Sequence, residues 1–241
     1  ILPKNLKKIS DGAFKNLSLV GTIDIPNGVE YIGWAAFFEN YLSGELKLPS
    51  SLKFLGAESF AFNSGISGQL YLPEGIEVIE WEAHRGVFGE NQFTGPLILP
   101  SSLISYGKLG FSGTTGTVVF PPKVTYVPEF ILENSGCTRV VFHNGITEIR
   151  GAAFRGSSLS GELVLPPNLK FIGSEAFRFS KISSIIFPES LRVIDDGAAF
   201  SECKYLTGVL ELPKNVARIP IECFYGCSNI TGLIIPENCE L

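Results

Sequence analysis

Two histidines, His84 and His143, and five cysteines, Cys137, Cys203, Cys223, Cys227 and Cys239, are the residues of this 241-residue chain best suited to nucleophilic, acid–base or metal chemistry. Their spacing supports none of it. A serine or cysteine nucleophile needs a base within hydrogen-bond reach. The chain contains no Gly-x-Ser-x-Gly, His-Glu-x-x-His or Cys-x-x-Cys. Cys223 and Cys227 stand four apart without a second close pair, whereas a zinc site normally takes two such pairs. Gly86-x-x-Gly89 and Gly113-x-x-Gly116 lack the strand, helix and lysine of a phosphate loop and read as turns. The adjacent acids Asp195 and Asp196 would need several more oxygen ligands to hold calcium, and read as solvated turn acids. The expectation is a chain that is not an enzyme and uses no metal or cofactor.

Composition points the same way. Hydrophobic residues make up 45% of the chain, enough for a sizeable core, and the net charge is −5. A nucleic-acid-binding domain would carry a basic surplus, so nucleic acid is not an expected partner. No apolar run approaches the ~18 residues of a membrane helix, so no transmembrane segment is expected. The chain begins at Ile1 and contains no methionine, so it is expected to be part of a longer or processed protein. An odd cysteine count leaves at least one thiol unpaired, and a chain of this size does not need disulfide staples.

The glycines and prolines are spread along the whole chain, and the prolines mark a repeat. The phrase apolar-x-apolar-Pro recurs at Ile23–Pro26, Leu46–Pro49, Leu70–Pro73, Leu97–Pro100, Val118–Pro121, Leu163–Pro166, Ile185–Pro188, Leu210–Pro213 and Leu233–Pro236. Val140–His143 is the same phrase with histidine in the proline slot. From Pro3 onward the marks are 21 to 27 residues apart, about 23 on average. After each mark come two apolar residues three apart, such as Val29 and Ile32. An aromatic usually follows five residues later: Phe14, Phe37, Phe60, Phe111, Phe154, Phe177 and Phe224. Three residues after that lies a column of small polar or thiol residues: Asn40, Asn63, Asn91, Thr114, Ser157, Ser180, Cys203 and Cys227. A tight turn leaves backbone groups unpaired, and a short polar side chain can satisfy them. That need explains two of the five cysteines without any redox role.

The period of 2 in the apolar phrase makes it a short strand with one buried face. Proline then stops the strand and turns the chain. One such strand cannot bury itself, but stacking the repeats gives a parallel sheet over a continuous core. The stretch Val29–Ile32 and its equivalents suit a second short strand on another side. Segments such as Ser174–Phe177 suit a brief helical or 3₁₀ turn with Ser174 as N-cap. The expected architecture is a single solenoid over 1–241, of about ten repeats, without an internal domain boundary.

The combined pattern resembles the BspA-like leucine-rich repeat. It is carried by Leu-x-Leu-Pro, by Asn168-Leu169-Lys170-Phe171-Ile172-Gly173-Ser174-Glu175-Ala176-Phe177, and by Phe224-Tyr225-Gly226-Cys227-Ser228-Asn229-Ile230. Cys223 takes a slot usually filled by alanine, Leu132 one usually filled by phenylalanine. The resemblance implies a right-handed leucine-rich-repeat solenoid. It also implies an extracellular or cell-surface setting and a protein ligand, with host or matrix proteins as the class bound by similar bacterial proteins.

Register then nominates contact residues. Side chains alternate along a strand, so residues one and three before each proline face the core and residues two and four before it face outward. The outward column contains Tyr71, Ile98, Val119, Val141, Val164 and Ile186. The last five are β-branched. Either they reflect the strand preference of such residues, or they form a hydrophobic strip for a partner or a second copy. The longest repeat carries four extra residues around Trp81, His84 and Arg85. It is either a tolerated bulge with Trp81 on the core or a binding loop, since loops carry function and Trp and Arg dominate hot spots. Three readings compete: an interaction or adhesion module, the recognition array of a larger enzyme, and a structural spacer. Two Asn-x-Ser/Thr sequons, Asn16–Ser18 and Asn229–Thr231, matter only in a eukaryotic secretory route.

Overall fold

The computed structural model describes residues 2–80, 86–110 and 113–240. The chain divides into two compact units, Ile1–Lys123 and Val124–Leu241. Each is a solenoid of stacked coils.

Most coils among the described residues carry two strand segments. In the first unit the two-residue strands Lys8–Ile9, Tyr31–Ile32, Phe54–Leu55 and Val78–Ile79 form one parallel sheet, in that order. Their register joins like positions of consecutive repeats: Ile9 to Ile32, Ile32 to Leu55 and Leu55 to Ile79. The second unit repeats this with Tyr126–Val127, Glu148–Ile149, Phe171–Ile172 and Val193–Ile194. These are the second strands expected after each proline.

The other face differs between the units. In the second, the strands Ser160–Val164, Lys181–Ile186 and Gly208–Glu211 include the apolar phrase. In the first, the regular strands Tyr41–Gly44 and Gly65–Gly68 precede it. Within the phrase itself the first unit has the isolated bridge between Asp24 and Lys47 and, in its last repeat, the strand Thr115–Val119. The cause is a glycine with positive φ at each junction, 80° at Gly44 and 87° at Gly68, which bends the chain out of the ladder. In the second unit the same position is absorbed as a bulge, with a register shift at Gly161/Glu162. Burial still alternates as expected in both: Leu46, Leu70, Leu72, Leu163 and Leu165 are buried, Lys47, Tyr71 and Val164 exposed.

The helical turns expected around Ser174–Phe177 do not form. The described residues contain no helix, and Ser174 caps none. Alternate amides take different partners instead. Ala152, Phe154 and Gly156 donate to the carbonyls of Ser174, Ala176 and Arg178 in the next coil. Ala153, Arg155 and Ser157 donate three residues back within their own coil. A helix would keep every bond inside the coil, so the alternating scheme gains coil-to-coil pairing. It requires left-handed backbone at two positions four residues apart, for example Glu175 at φ 55° and Phe179 at 63°. Such conformations cost non-glycine residues about 1 kcal/mol or more each. They persist because the next coil holds them.

The aromatic column stacks as a core spine. Phe14, Phe37, Phe60 and Phe88 stack at 5.2, 5.1 and 6.2 Å between ring centroids in the first unit. Phe154, Phe177, Phe200 and Phe224 stack at 5.2, 5.3 and 5.6 Å in the second. Leu132 occupies the same slot and is buried. Phe88 donates its amide to Leu109 O, as Phe60 does to Val87 O. That pairing puts Gly110 in the slot expected for Phe111, which lies outside the described residues.

The small polar column works as its chemistry requires. Buried Asn63 donates from Nδ2 to Phe37 O (2.9 Å) and Phe60 O (3.0 Å), and its Oδ1 accepts from the Leu42 amide at 3.2 Å. Asn40 does the same one coil earlier. In the second unit shorter groups take over: Ser135 Oγ donates to Leu132 O, and Cys203 Sγ to Phe177 O. His143, in its proline slot, accepts the Gly145 amide on Nδ1 at 3.0 Å and so closes the turn that proline shapes elsewhere.

Candidate functional site

The residues nominated for contact are placed by one geometric fact, the alternation of side chains along the outer strands. In the first unit Tyr71, Ile98 and Val119 are exposed. Tyr71 Oη donates to Gln69 Oε1 at 2.9 Å, which ties the phenol to the neighbouring outward position. In the second unit Val164 and Ile186 are each 68% exposed and directly paired in register, so they present adjacent methyl groups to solvent. Val141 is 39% exposed. With Val164 it lines a cleft of about 620 Å³ whose walls include Arg139, Phe142, Glu162 and Pro166. Further along, Glu211 opposes Ile234 and interrupts the apolar column. Trp81, His84 and Arg85 lie outside the described residues.

The cleft has a structural origin. The strand Gly136–Val141 comes close to Ser160–Val164 at one end, where the Ser158 amide donates to Ser135 O at 2.9 Å. Among the described residues no register pairs link these two strands, whereas Ser160–Val164 pairs along its length with Lys181–Ile186. The chain thereby offers apolar methyls from Val141 and Val164, with one guanidinium and one carboxylate beside them. That set can bury an apolar side chain and align a polar backbone or a charged pair.

Several exposed apolar residues escaped the proline-based register. Val20 and Tyr41 are exposed partners in the ladder. They share strand parity with Asp24 and Lys47, so extending the alternation past the glycine would have found them. Tyr205, Ile221 and Tyr225 are also exposed, at turns where no periodic signal exists.

The remaining charged features are structural. Arg155 pairs with Glu133 and Glu175, and Arg178 with Glu175. Burial disfavours the Glu175 carboxylate, but hydrogen bonds and charge from Arg155 and Arg178 outweigh it and hold its pKa below the ordinary value. Asp196 pairs with Arg218 at 3.0 Å on the surface. Asn229, in one of the sequons, donates to Lys204 O.

Comparison with known proteins agrees with this architecture. No curated protein matches the chain significantly. The fold resembles that of a leucine-rich repeat protein from Bacteroides ovatus ATCC 8483, with 20% identity and a TM-score of 0.63, over 99% of this chain and 72% of that one. It also resembles a leucine rich cell surface protein from Faecalibacterium prausnitzii A2-165, with 18% identity and a TM-score of 0.57, over 95% and 69%. At these identities the likeness concerns the fold. The sequence itself matches the BspA type leucine rich repeat region in six copies, over residues 1–96, 84–207 and 198–241. With its aromatic spine, its polar column and its two strands per coil, the chain belongs to the BspA-type leucine-rich-repeat family.

Proposed function

We propose that this chain is a non-catalytic protein-interaction module of a secreted or cell-surface protein, and that it takes a protein ligand, of the host or matrix class, on the outward strand face. The observation that carries the reading is the exposed pair Val164 and Ile186 beside the Val141 cleft. A folded chain gains nothing in core packing from apolar side chains held in solvent, and contiguous apolar patches mark interfaces. The cell-surface description of one structural relative and the family's repeat type support the setting.

The test replaces Val141 and Val164 with serine together. Each valine buried at an interface contributes about 1–1.5 kcal/mol through its apolar area. The double variant should therefore weaken binding to immobilised matrix proteins, or self-association in sedimentation velocity, roughly 30- to 150-fold. Its melting temperature should stay within about 3 °C of the parent, since both residues are surface positions. Unchanged binding and unchanged sedimentation would sink the assignment of this face.

A further inference from the structure

Three of the five cysteines meet in the second unit. Cys203 and Cys227 occupy the small polar column of consecutive coils, three residues after Phe200 and Phe224. Each thiol donates to the carbonyl of the aromatic residue one coil back: Cys203 Sγ to Phe177 O and Cys227 Sγ to Phe200 O, both at 3.1 Å. Phe200 O also accepts the backbone amide of Cys203 at 3.3 Å. The side chain of Cys227 and the backbone of Cys203 thus converge on one oxygen. One step earlier in the column, Ser180 Oγ lies 3.4 Å from Cys203 Sγ, which shows how closely column neighbours approach. The rings three residues before them, Phe200 and Phe224, stack at 5.6 Å between consecutive coils, a spacing inside the Cα separation of ~4.4–6.8 Å that a disulfide spans.

We propose that Cys203 and Cys227 are a redox-active pair that closes to a disulfide between consecutive coils when the protein meets a hydroperoxide. The two sulfurs have different parts. Cys227 is 9% exposed and Cys203 is fully buried. Cys227, the more exposed of the two, is therefore the attacking sulfur and Cys203 the resolving thiol. The neighbouring Cys203 thiol also holds the Cys227 pKa below its ordinary value, against burial and Glu202.

In the first step the Cys227 sulfur attacks one peroxide oxygen. An S–O bond forms, the O–O bond breaks, and the departing hydroxide or alkoxide takes up a proton. The product is a sulfenic acid on Cys227. The Cys203 sulfur then attacks the Cys227 sulfur. The S–S bond forms, the S–O bond breaks, and hydroxide leaves with the Cys203 proton as water. The two thiols lose two electrons and the peroxide gains them. Cys223 is excluded from the pair by its position: it stands directly before the spine residue Phe224, outside the polar column, and donates its amide to Pro220 O. Its place is the alanine slot of the core.

Serine fills the same column at Ser157 and Ser180, so Cys203→Ser and Cys227→Ser keep the local fold, and thermal melts check this directly. The reduced, purified chain is treated with hydrogen peroxide and then alkylated under denaturing, non-reducing conditions. The expected result is loss of the mass of two hydrogens, with one linked peptide pair containing Cys203 and Cys227. Cys203→Ser should instead accumulate a sulfenic acid at position 227, captured by a 1,3-dione probe. Cys227→Ser should give neither product. Five alkylatable thiols after peroxide, a linkage through Cys223, or equal dione labelling of the two variants would each overturn the proposal.

Discussion

Asn63→Ala tests whether the polar column holds the coils together. The side chain is fully buried and bridges two coils: Nδ2 reaches Phe37 O one coil back and Phe60 O in its own, and Oδ1 holds the Leu42 amide of the coil before. Truncation does not orphan all three backbone groups. Phe37 O still accepts from Asn40 Nδ2 at 3.0 Å, and Phe60 O from Asn91 Nδ2 at 3.0 Å. The Leu42 amide loses this acceptor, and a buried donor left without its partner costs about 1–3 kcal/mol. Each carbonyl loses one of two bonds, with a net effect of about 0.5–1.5 kcal/mol. The expected cost is about 3 kcal/mol, which lowers the melting temperature by roughly 6–12 °C for a chain of this length. Circular dichroism melts measure it, and hydrogen exchange at the Leu42 amide should accelerate before the rest of the unit opens. A variant melting within about 2 °C of the parent, with Leu42 still protected, would refute the view that this column is a backbone cap.

The close approach of the coils and the half-buried Glu175 carry two further outcomes. A Cβ on Gly56 would lie 2.3 Å from the Gly33 carbonyl carbon, which is backbone and cannot step aside. Gly56→Ala should therefore cost about 3 kcal/mol or more, read as a melting temperature lowered by at least roughly 6 °C, and a neutral result would show that the coils can separate there. Glu175 has its pKa lowered by its arginine partners. The stability it contributes is present above the ordinary carboxylate pKa of about 4.5 and is lost as pH falls through the lower folded value. Melting curves between about pH 6 and pH 3 should show the parent losing more stability than Glu175→Gln, and parallel curves would contradict the pairing.

What could be read from the sequence tracks what each residue type reveals about its backbone. The spine was legible because Phe37, Phe60 and Phe177 recur at a fixed offset from the proline, and Phe154 at the same offset from His143 in the proline slot, and one column of identical rings admits one stacking arrangement. The polar column was legible because Asn40, Asn63 and Asn91 are poor residues for a core unless each caps a backbone group. The turn that joins these columns was not. Its left-handed positions hold Ala35, Glu58, Glu175 and Phe179, residues that suggest helix or strand and carry no mark of positive φ. Glycine occupies the same positions at Gly12, Gly86 and Gly226, so aligning all repeats on that column would have exposed the requirement that single repeats hide. The outward face lies between these cases. The proline register placed Val164 and Ile186 in solvent correctly. It could not foresee the cleft beside Val141, because the splaying of Gly136–Val141 from Ser160–Val164 depends on how two neighbouring coils absorb their bulges, and no single repeat encodes that. The Cys203 and Cys227 pair shows the same limit. Each cysteine by itself reads as a short polar cap, and only the stacking of consecutive coils turns two caps into neighbouring thiols of one column.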